Sequence, residues 1–291
     1  MRRPHQRLIG PTLAPAVALL ATALLAVGCT PQPVASEPSP TPSPAASGTG
    51  SAPTEPSISL PPTGGFDYQL GGAYEPPAGT AIVARDSTET PAPGLYNMCY
   101  LNGFQSQPGE AEAWAGLLLE DANGPVADPG WPDEFLLDTS TPTNREAIAA
   151  AMRVRIDGCA AAGFDAVEFD NLDSFTRSGG ALTAADNLAL AALYIADAHA
   201  AGLATAQKNS AELVTQGAAA GFDFAVTEEC GQYRECDVYQ AVYAIVLDIE
   251  YGSAEDFAAL CAAGVLPPQS VRRDIDLVTP ALADYVFERC P

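Results

Sequence analysis

The feature that most constrains the fold is a repeated pattern: an Ala-rich helix, a glycine, a short apolar strand and then an acid or amide. The helix-ending junction recurs at Ala162-Gly163, Ala201-Gly202 and Ala220-Gly221. Glycine commonly ends helices, and helices that alternate with strands are typical of parallel strands joined by helical crossovers. We therefore predict an α/β fold built on a parallel sheet.

Eight strands are predicted, at 66–70, 80–84, 95–101, 135–137, 165–169, 203–207, 222–227 and 244–249. Apolar residues at helical spacing predict helices over 145–162 and 184–201. Eight repeats in about 230 residues fit a single (β/α)8 TIM barrel. A further strand-like run, 270–275, leaves the strand count open. A doubly wound open sheet is the alternative, although no GxGxxG motif follows a strand.

The first 63 residues do not resemble a folded domain. Residues 1–29 have the layout of a secretory signal peptide, with a basic start, an apolar stretch over 8–27 and a lipobox-like end at Cys29. We predict export, with the lipidated Cys29 as the only membrane attachment; free secretion and a transmembrane span are the alternatives. Residues 30–63 are rich in Pro, Ser and Thr and predict a disordered tether. The barrel is therefore assigned to 64–291.

Six cysteines follow Cys29, and an even number in an exported chain predicts disulfides. Cys230 and Cys236 are close enough in sequence to pair and hold a loop. The sequence does not fix the other pairings, and Cys99–Cys159 with Cys261–Cys290 is our working hypothesis. The chain has two histidines and no CxxC motif. We therefore expect no metal and no cofactor.

The charge of the chain is strongly one-sided. Thirteen basic residues stand against 36 acidic ones, which gives a net charge of −23. A nucleic-acid-binding surface needs the opposite sign, so we expect no nucleic-acid partner. Solubility or a salty habitat explains this balance, and attraction of a cationic substrate is the alternative.

Polar residues concentrate at the predicted carboxyl ends of the strands, where TIM-barrel enzymes carry their active sites. The candidates are Asp86, Tyr100, Asp138, Asp170, Asn171, Asp173, Lys208, Asn209, Glu228, Glu250 and Tyr251. Lys208 is the only lysine in the sequence, which favours a role in the site over one in solubility. Acids and amides after strands also cap helices, so Asp138 and Asn209 have that structural alternative. The loop-rich region 105–131 is a candidate substrate rim.

Four segments in order resemble the endo-α-1,4-polygalactosaminidases of glycoside hydrolase family 114. They are 163–173 (GFDAVEFDNLD), 207–209 (QKN), 222–236 (FDFAVTEECGQYREC) and 249–251 (IEY). The resemblance implies a TIM barrel that cleaves galactosamine-containing α-1,4 chains in an endo manner. It also places the catalytic acids at Asp170 and Glu228. Glu229 ranks second, because neighbouring residues on a strand point to opposite faces.

Glycoside hydrolysis needs one protonated and one ionised carboxyl group. Our hypothesis makes Glu228 the general acid and Asp170 the nucleophile or base. The other candidates form the predicted substrate-binding set, in which Asp86, Asp138, Asp173 and Glu250 are the acids available to pair with ammonium groups of a cationic galactosaminoglycan. We expect a monomer acting on a polysaccharide. The alternatives are a hydrolase of another exopolysaccharide, a non-catalytic carbohydrate-binding lipoprotein, and an enzyme that uses Lys208 as a Schiff base.

Overall fold

A computed structural model describes residues 58–291 of the chain. The predicted signal peptide, Cys29 and most of the predicted tether lie outside the described residues. The last residues of that tether pack on the barrel, since Pro61 is buried and the Tyr96 hydroxyl donates to the Ser59 carbonyl over 2.8 Å. The folded domain therefore begins before Gly64, the boundary predicted from composition.

Eight parallel strands form the barrel wall. In chain order the strands are β1 (Gly65–Gln69), β2 (Thr80–Asp86), β3 (Tyr96–Asn102), β4 (Glu120–Asp121), β5 (Gly124–Pro125), β6 (Ala166–Asp170), β7 (Ala204–Lys208), β8 (Phe224–Glu228), β9 (Val246–Glu250), β10 (Gln269–Arg273) and β11 (Phe287–Arg289). The main sheet runs β1-β2-β3-β6-β7-β8-β9-β10-β11, and only its last pairing is antiparallel. Strands β4 and β5 form a separate antiparallel pair. The predicted α/β barrel class is confirmed.

Six helices surround the strands. They are α1 (Pro142–Ala162), α2 (Ala184–Ala200), α3 (Val214–Ala220), α4 (Cys230–Tyr233), α5 (Cys236–Gln240) and α6 (Ala254–Ala263). Helix α1 begins where the Thr141 side chain accepts from the backbone N–H of Asn144, and it ends at Gly163 with φ 94°. Helix α3 ends in the same way at Gly221, with φ 115°. A left-handed residue after the last turn favours glycine, which explains the recurring Ala-Gly junction.

One strand prediction is wrong, and the ambiguous run supplies the missing strand. Segment 135–137 is not a barrel strand; its residues make isolated antiparallel bridges with the preceding loop, such as Gln105 with Leu136 and Leu118 with Leu137. Leu136 and Leu137 are fully buried under that loop, which explains why the segment is apolar. The eighth barrel strand is instead β10, which overlaps the ambiguous run 270–275.

Alternation along the strands separates two apolar layers. One set of side chains fills the barrel: Phe66, Ile82, Met98, Ala166, Ala204, Ala206, Phe224, Val226, Leu247, Ile249 and Val271. The residues between them on the strands, such as Cys99, Val167 and Ala225, pack against the helices. Because side chains alternate between the two faces, this pattern also decides which polar residues at the strand ends point inward.

No β-ladder joins β10 to β1 within the described sheet, and the Arg273 side chain connects the backbone at this junction instead. Arg273 is fully buried there and donates to the backbone carbonyls of Tyr68, Val278 and Val286. Its guanidinium also pairs with the buried Asp67 at 3.2 Å. The arginine therefore satisfies backbone groups at the junction and neutralises the acid beside them.

Three disulfides connect the outer layer. Cys99–Cys159 joins β3 to α1, Cys230–Cys236 bridges α4 and the start of α5, and Cys261–Cys290 joins α6 to the chain end. All three predicted pairings are confirmed. Over residues 58–291, no helix has both the length and the apolar character needed to cross a membrane.

Candidate active site

Three carboxylates surround the side chain of Lys208 at the carboxyl end of the barrel. The Lys208 ammonium nitrogen lies 3.0 Å from Glu168 Oε1, 3.4 Å from Asp170 Oδ1 and 3.5 Å from Glu228 Oε2. It also donates to the Tyr68 hydroxyl over 3.0 Å. Lys208 is only 2% exposed, whereas Asp170 and Glu228 are 21% and 31% exposed. The lysine is therefore the floor of a cleft whose two accessible acids are those predicted to be catalytic.

Asp170 ends β6 and is held as a carboxylate. It accepts from the Tyr100 hydroxyl over 2.7 Å and from the backbone N–H of Asn171 over 2.8 Å. Burial acts to raise the pKa of Asp170, but the charge of Lys208 and these hydrogen bonds outweigh it and lower the pKa below its usual value. Asp170 is therefore ionised at neutral pH, as a nucleophile or base requires.

Glu228 ends β8 and is held by two neighbours. The Tyr251 hydroxyl donates to its Oε1 over 2.5 Å, and the Asn209 side-chain amide donates to its Oε2 over 3.0 Å. Burial, followed by the negative charge of Glu228, raises the pKa of Tyr251 well above its ordinary value, so the phenol keeps the proton that it donates. The carboxyl group of Glu228 is therefore fixed at both of its oxygens.

The two accessible acids are close enough to act on one glycosidic bond. Since each nearest oxygen lies within 3.5 Å of Lys208 Nζ, those oxygens of Asp170 and Glu228 are no further apart than about 7 Å. Retaining glycosidases separate their carboxyl groups by about 5–5.5 Å and inverting ones by about 6.5–9.5 Å. This limit applies to the nearest oxygens, so it is compatible with the retaining separation and with the lower end of the inverting range.

Glu168 is a site residue that the sequence analysis did not select. It accepts from the Tyr68 hydroxyl over 2.7 Å, and its Oε2 is buried without a hydrogen-bond partner among the described residues. Burial raises the pKa of Glu168 to about 7, and the charge of Asp170 adds to this, against the opposing charge of Lys208. The signal was present in the sequence, because Glu168 lies two residues before Asp170 and so points to the same face.

Four predicted binding acids do not contact this cluster. Asp86 accepts from the N–H and hydroxyl of Thr88, and Asp138 accepts from Ser140 and Asn144 at the start of α1. Asp138 therefore holds the turn before α1 and the Asn144 side chain, whereas the N-cap of that helix is Thr141.

The other two acids are Asp173 and Glu250. Asp173 forms an ion pair with Arg177 at 2.8 Å. Contrary to the prediction, Glu250 is 1% exposed and lies on the outer face of β9, where it accepts from the backbone N–H of Gly231 over 2.7 Å. Its neighbour Ile249 fills the barrel interior, so alternation turns Glu250 towards the helices.

A chain of amides extends the site towards the loop between β3 and α1. The Asn171 side-chain amide donates to Asn102 Oδ1 over 2.9 Å, and the Asn102 amide donates to Glu134 Oε2 over 3.0 Å. Asn171 has φ 67°, a left-handed conformation that asparagine tolerates better than most residues. Asn102 and Glu134 were not in the predicted binding set, and Glu134 lies just beyond the predicted rim of 105–131.

Two other features of the described residues lie away from this cleft. Cys230, Asp248 and Glu250 bring potential metal-binding atoms within 4.8 Å of one another, but the sulfur of Cys230 is committed to a disulfide. A cavity of about 720 Å³ is lined by Gly65, Val246 and Gln269, which begin β1, β9 and β10. It therefore opens at the amino-terminal end of the barrel, opposite the end where TIM-barrel chemistry occurs.

Several solved structures have a similar fold, including those of Ega3 and the glycoside hydrolase domain of PelA. The crystal structure of Aspergillus fumigatus Ega3 in complex with galactosamine aligns with 82% of this chain and 98% of its own, at 22% identity and a TM-score of 0.63. The glycoside hydrolase domain of PelA from Pseudomonas aeruginosa aligns with 77% of this chain and 97% of its own, at 18% identity and a TM-score of 0.55. No curated protein sequence matches the chain.

Family membership follows from the sequence match itself. The model of the glycoside hydrolase family GH114 matches residues 48–291, which include every strand of the barrel and every member of the Lys208 cluster. The chain belongs to glycoside hydrolase family GH114.

Proposed function

We propose that this glycoside hydrolase cleaves α-1,4-linked galactosamine-containing polysaccharides with Asp170 and Glu228 as its catalytic residues. The observation that carries the proposal is the pair of partly exposed carboxyl groups at the ends of β6 and β8, each within 3.5 Å of Lys208 in a barrel of this family. The complex of Ega3, a protein of the same fold, with galactosamine supports an amino sugar as the substrate unit.

In the first step Asp170 acts as the nucleophile. Its carboxylate oxygen bonds to the anomeric carbon while the glycosidic C–O bond breaks, and Glu228 donates its proton to the departing oxygen. The product of this step is a glycosyl ester on Asp170. The lowered pKa of Asp170 supports this assignment, because the nucleophile must be ionised before attack.

In the second step Glu228 acts as the base. A water molecule gives its proton to Glu228, its oxygen bonds to the anomeric carbon, and the ester bond to Asp170 breaks. Two inversions leave the sugar with its original configuration. Asn209 and Tyr251 support this exchange of roles, since both donate to Glu228 and hold it beside the leaving oxygen and later the water.

Lys208 has an electrostatic role in this proposal. Burial alone would lower the pKa of Lys208, but the negative charges of Asp170, Glu228 and Glu168 raise it well above the ordinary value. An ammonium group held protonated in this way is not nucleophilic, which argues against the Schiff-base alternative. The lysine keeps Asp170 ionised and offsets the repulsion among three neighbouring acids.

The test is incubation of the purified protein with de-N-acetylated and partly acetylated galactosaminoglycan, followed by mass spectrometry of the products. We expect shorter oligosaccharides from the wild-type protein and none from Asp170→Asn. Binding without cleavage would overturn the proposal in favour of a carbohydrate-binding lipoprotein. Cleavage of a different exopolysaccharide alone would overturn the substrate assignment.

We also propose that the protein is exported and anchored through lipid on Cys29, with residues 30 onwards as a tether. Three disulfides support export, because such bonds persist in oxidising compartments. We expect the full-length protein to fractionate with membranes and Cys29→Ser to lose that association. A Cys29→Ser variant that stays in the membrane fraction would contradict the lipid anchor.

A further inference from the structure

Glu134 lies on the loop between β3 and α1 and borders the catalytic cleft. Three hydrogen bonds in series connect it to the nucleophile: Asn102 donates to Glu134, Asn171 donates to Asn102, and the Asn171 backbone N–H donates to Asp170. Its carboxyl group is half-buried and close enough for the charge of Asp170 to raise its pKa. These contacts connect Glu134 to the nucleophile from the side of the loop between β3 and α1.

Glu134 differs from its acidic neighbours in having no basic partner. Arg177 pairs with Asp128 at 2.5 Å and with Asp173 at 2.8 Å, so each of these two acids has a basic partner, although they share one positive charge. No lysine or arginine of residues 58–291 lies within 4.0 Å of the Glu134 carboxylate, and Asn102 leaves its second oxygen free to accept. A half-buried carboxylate without a counter-ion favours a cationic ligand, which supplies the missing charge and hydrogen-bond donors.

We infer that Glu134 binds the ammonium group of a de-N-acetylated hexosamine in the substrate and so makes the enzyme prefer de-N-acetylated over N-acetylated chains. The inference rests on the proposed function, since it names the residue that selects the substrate of the same cleft. Of the acids that the sequence suggested for this role, Asp86 and Asp138 are held in local hydrogen bonds, Asp173 pairs with Arg177, and Glu250 is buried on the outer face of β9.

The protonation of Glu134 gives the inference a pH signature. Burial raises the pKa of Glu134 to about 7, the charges of Asp170 and Asp128 add to this, and the Asn102 hydrogen bond and Arg177 oppose it. Only the ionised carboxylate pairs with an ammonium group. Binding of the cationic chain should therefore strengthen as the pH rises through about 7, until the sugar amine itself loses its proton.

The experiment compares kcat/KM for matched galactosamine oligosaccharides, de-N-acetylated and N-acetylated, in the wild-type protein and in Glu134→Gln. We expect the wild-type preference for the de-N-acetylated oligosaccharide to fall about tenfold in Glu134→Gln, through KM more than kcat. We also expect the rise in affinity near pH 7 to disappear. Asp133→Asn is the matched control, since it removes one exposed acid from the same loop and should keep the wild-type preference.

A binding measurement separates this inference from the proposed function. Calorimetric titration of Asp170→Asn with the de-N-acetylated oligosaccharide measures the affinity for this ligand in the absence of turnover. Weaker binding by Asp170→Asn/Glu134→Gln than by Asp170→Asn supports the inference, even if the wild-type protein proves inactive. Inactivity of the wild-type protein would contradict only the proposed function. Equal binding by the single and double variants, or an unchanged preference in Glu134→Gln, overturns the role of Glu134.

Discussion

Asn209 and Glu228 exchange two hydrogen bonds between the ends of adjacent strands. The Asn209 amide donates to Glu228 Oε2 over 3.0 Å, and the Glu228 backbone N–H donates to Asn209 Oδ1 over 2.8 Å. Asn209 has φ 50°, so its backbone leaves the strand in a left-handed turn as its side chain reaches across to β8. This asparagine therefore fixes both the backbone and the carboxyl group of the proposed acid–base residue.

Asn209→Ala should lower kcat by about 10–10²-fold, because a misplaced acid loses much of its effectiveness. KM should change less, because Asn209 holds the acid in place and does not itself react. Steady-state kinetics of the wild-type protein and the variant measure both constants. Asn123→Ala, in an exposed turn, is the matched control. A variant with wild-type kcat, or one that loses only KM, would rule out a positioning role for Asn209.

Asp170→Asn and Glu228→Gln should each lower kcat by about 10²–10⁴-fold, since each removes a group that moves an electron pair or a proton. Glu228→Gln should keep a melting temperature close to that of the wild-type protein, whereas Asp170→Asn should melt at a lower temperature, because it removes the ionised carboxylate that pairs with Lys208. Glu229→Gln and Asp157→Asn are the matched controls and should keep turnover. If Glu229→Gln were inactive and Glu228→Gln active, the roles of the two glutamates would have to be exchanged.

Cleavage should proceed with retention of anomeric configuration, because the proposed attack by Asp170 and the later attack by water are two successive inversions. Proton NMR during early turnover would identify the first reducing-end anomer released from an α-linked oligosaccharide. We expect the α anomer, which then mutarotates. Initial release of the β anomer would instead make Asp170 a general base that activates water.

Lys208→Met should lower the free energy of unfolding by about 3–5 kcal/mol at neutral pH, because it leaves buried and half-buried acids without their counter-charge. The loss should be smaller at pH 5, where Glu168 holds a proton. Urea unfolding at both pH values measures this difference. Adding Glu168→Gln to Lys208→Met should recover part of the loss, and purely additive effects would show that the two residues are not coupled.

The folded protein should lose stability as the pH rises from about 5 to 8. Burial raises the pKa of Glu168 to about 7 and also raises those of Asp248 and Glu250. The folded state therefore keeps protons that the unfolded chain has released above pH of about 4, and it gives them up at a cost as the pH passes through the folded pKa values. Asp170 acts in the opposite sense, and its contribution is lost only as the pH falls below about 4.

Urea unfolding at pH 5 and pH 8 tests this expectation, and we expect a fall of roughly 1–3 kcal/mol in the free energy of unfolding. Glu250→Gln should reduce the fall, whereas Glu255→Gln, on the exposed side of α6, should leave it unchanged. Stability that rose between these two pH values would contradict the raised pKa values of the buried acids.

The sequence predicted the barrel because the fold depends on local, repeated signals, whereas the family resemblance singled out Asp170 and Glu228 among the polar residues at the strand ends. Gly163 and Gly221 mark helix ends, and Asp170 and Glu228 each follow a short apolar strand. Segment 135–137 misled for the same reason, since a short buried segment is apolar whether or not it joins the sheet.

The misses have two causes. Strand alternation places Glu168 on the same face as Asp170 and Glu250 on the face opposite to Ile249, but the sequence analysis did not apply this pattern to either residue. Glu134 lies in irregular loop, where no periodicity shows which way a side chain points. Its closeness to Asp170 depends on Asn102, which comes from another strand.

Tyr68 belongs to two parts of the molecule at once. Its carbonyl accepts from Arg273 at the junction of β10 and β1, where no β-ladder joins the two strands. Its hydroxyl donates to Glu168 and accepts from Lys208. The two strands cannot move apart there without displacing the phenol beneath the reacting groups. Tyr68 therefore contributes both to the closure of the barrel between β10 and β1 and to the charge balance of the Lys208 cluster.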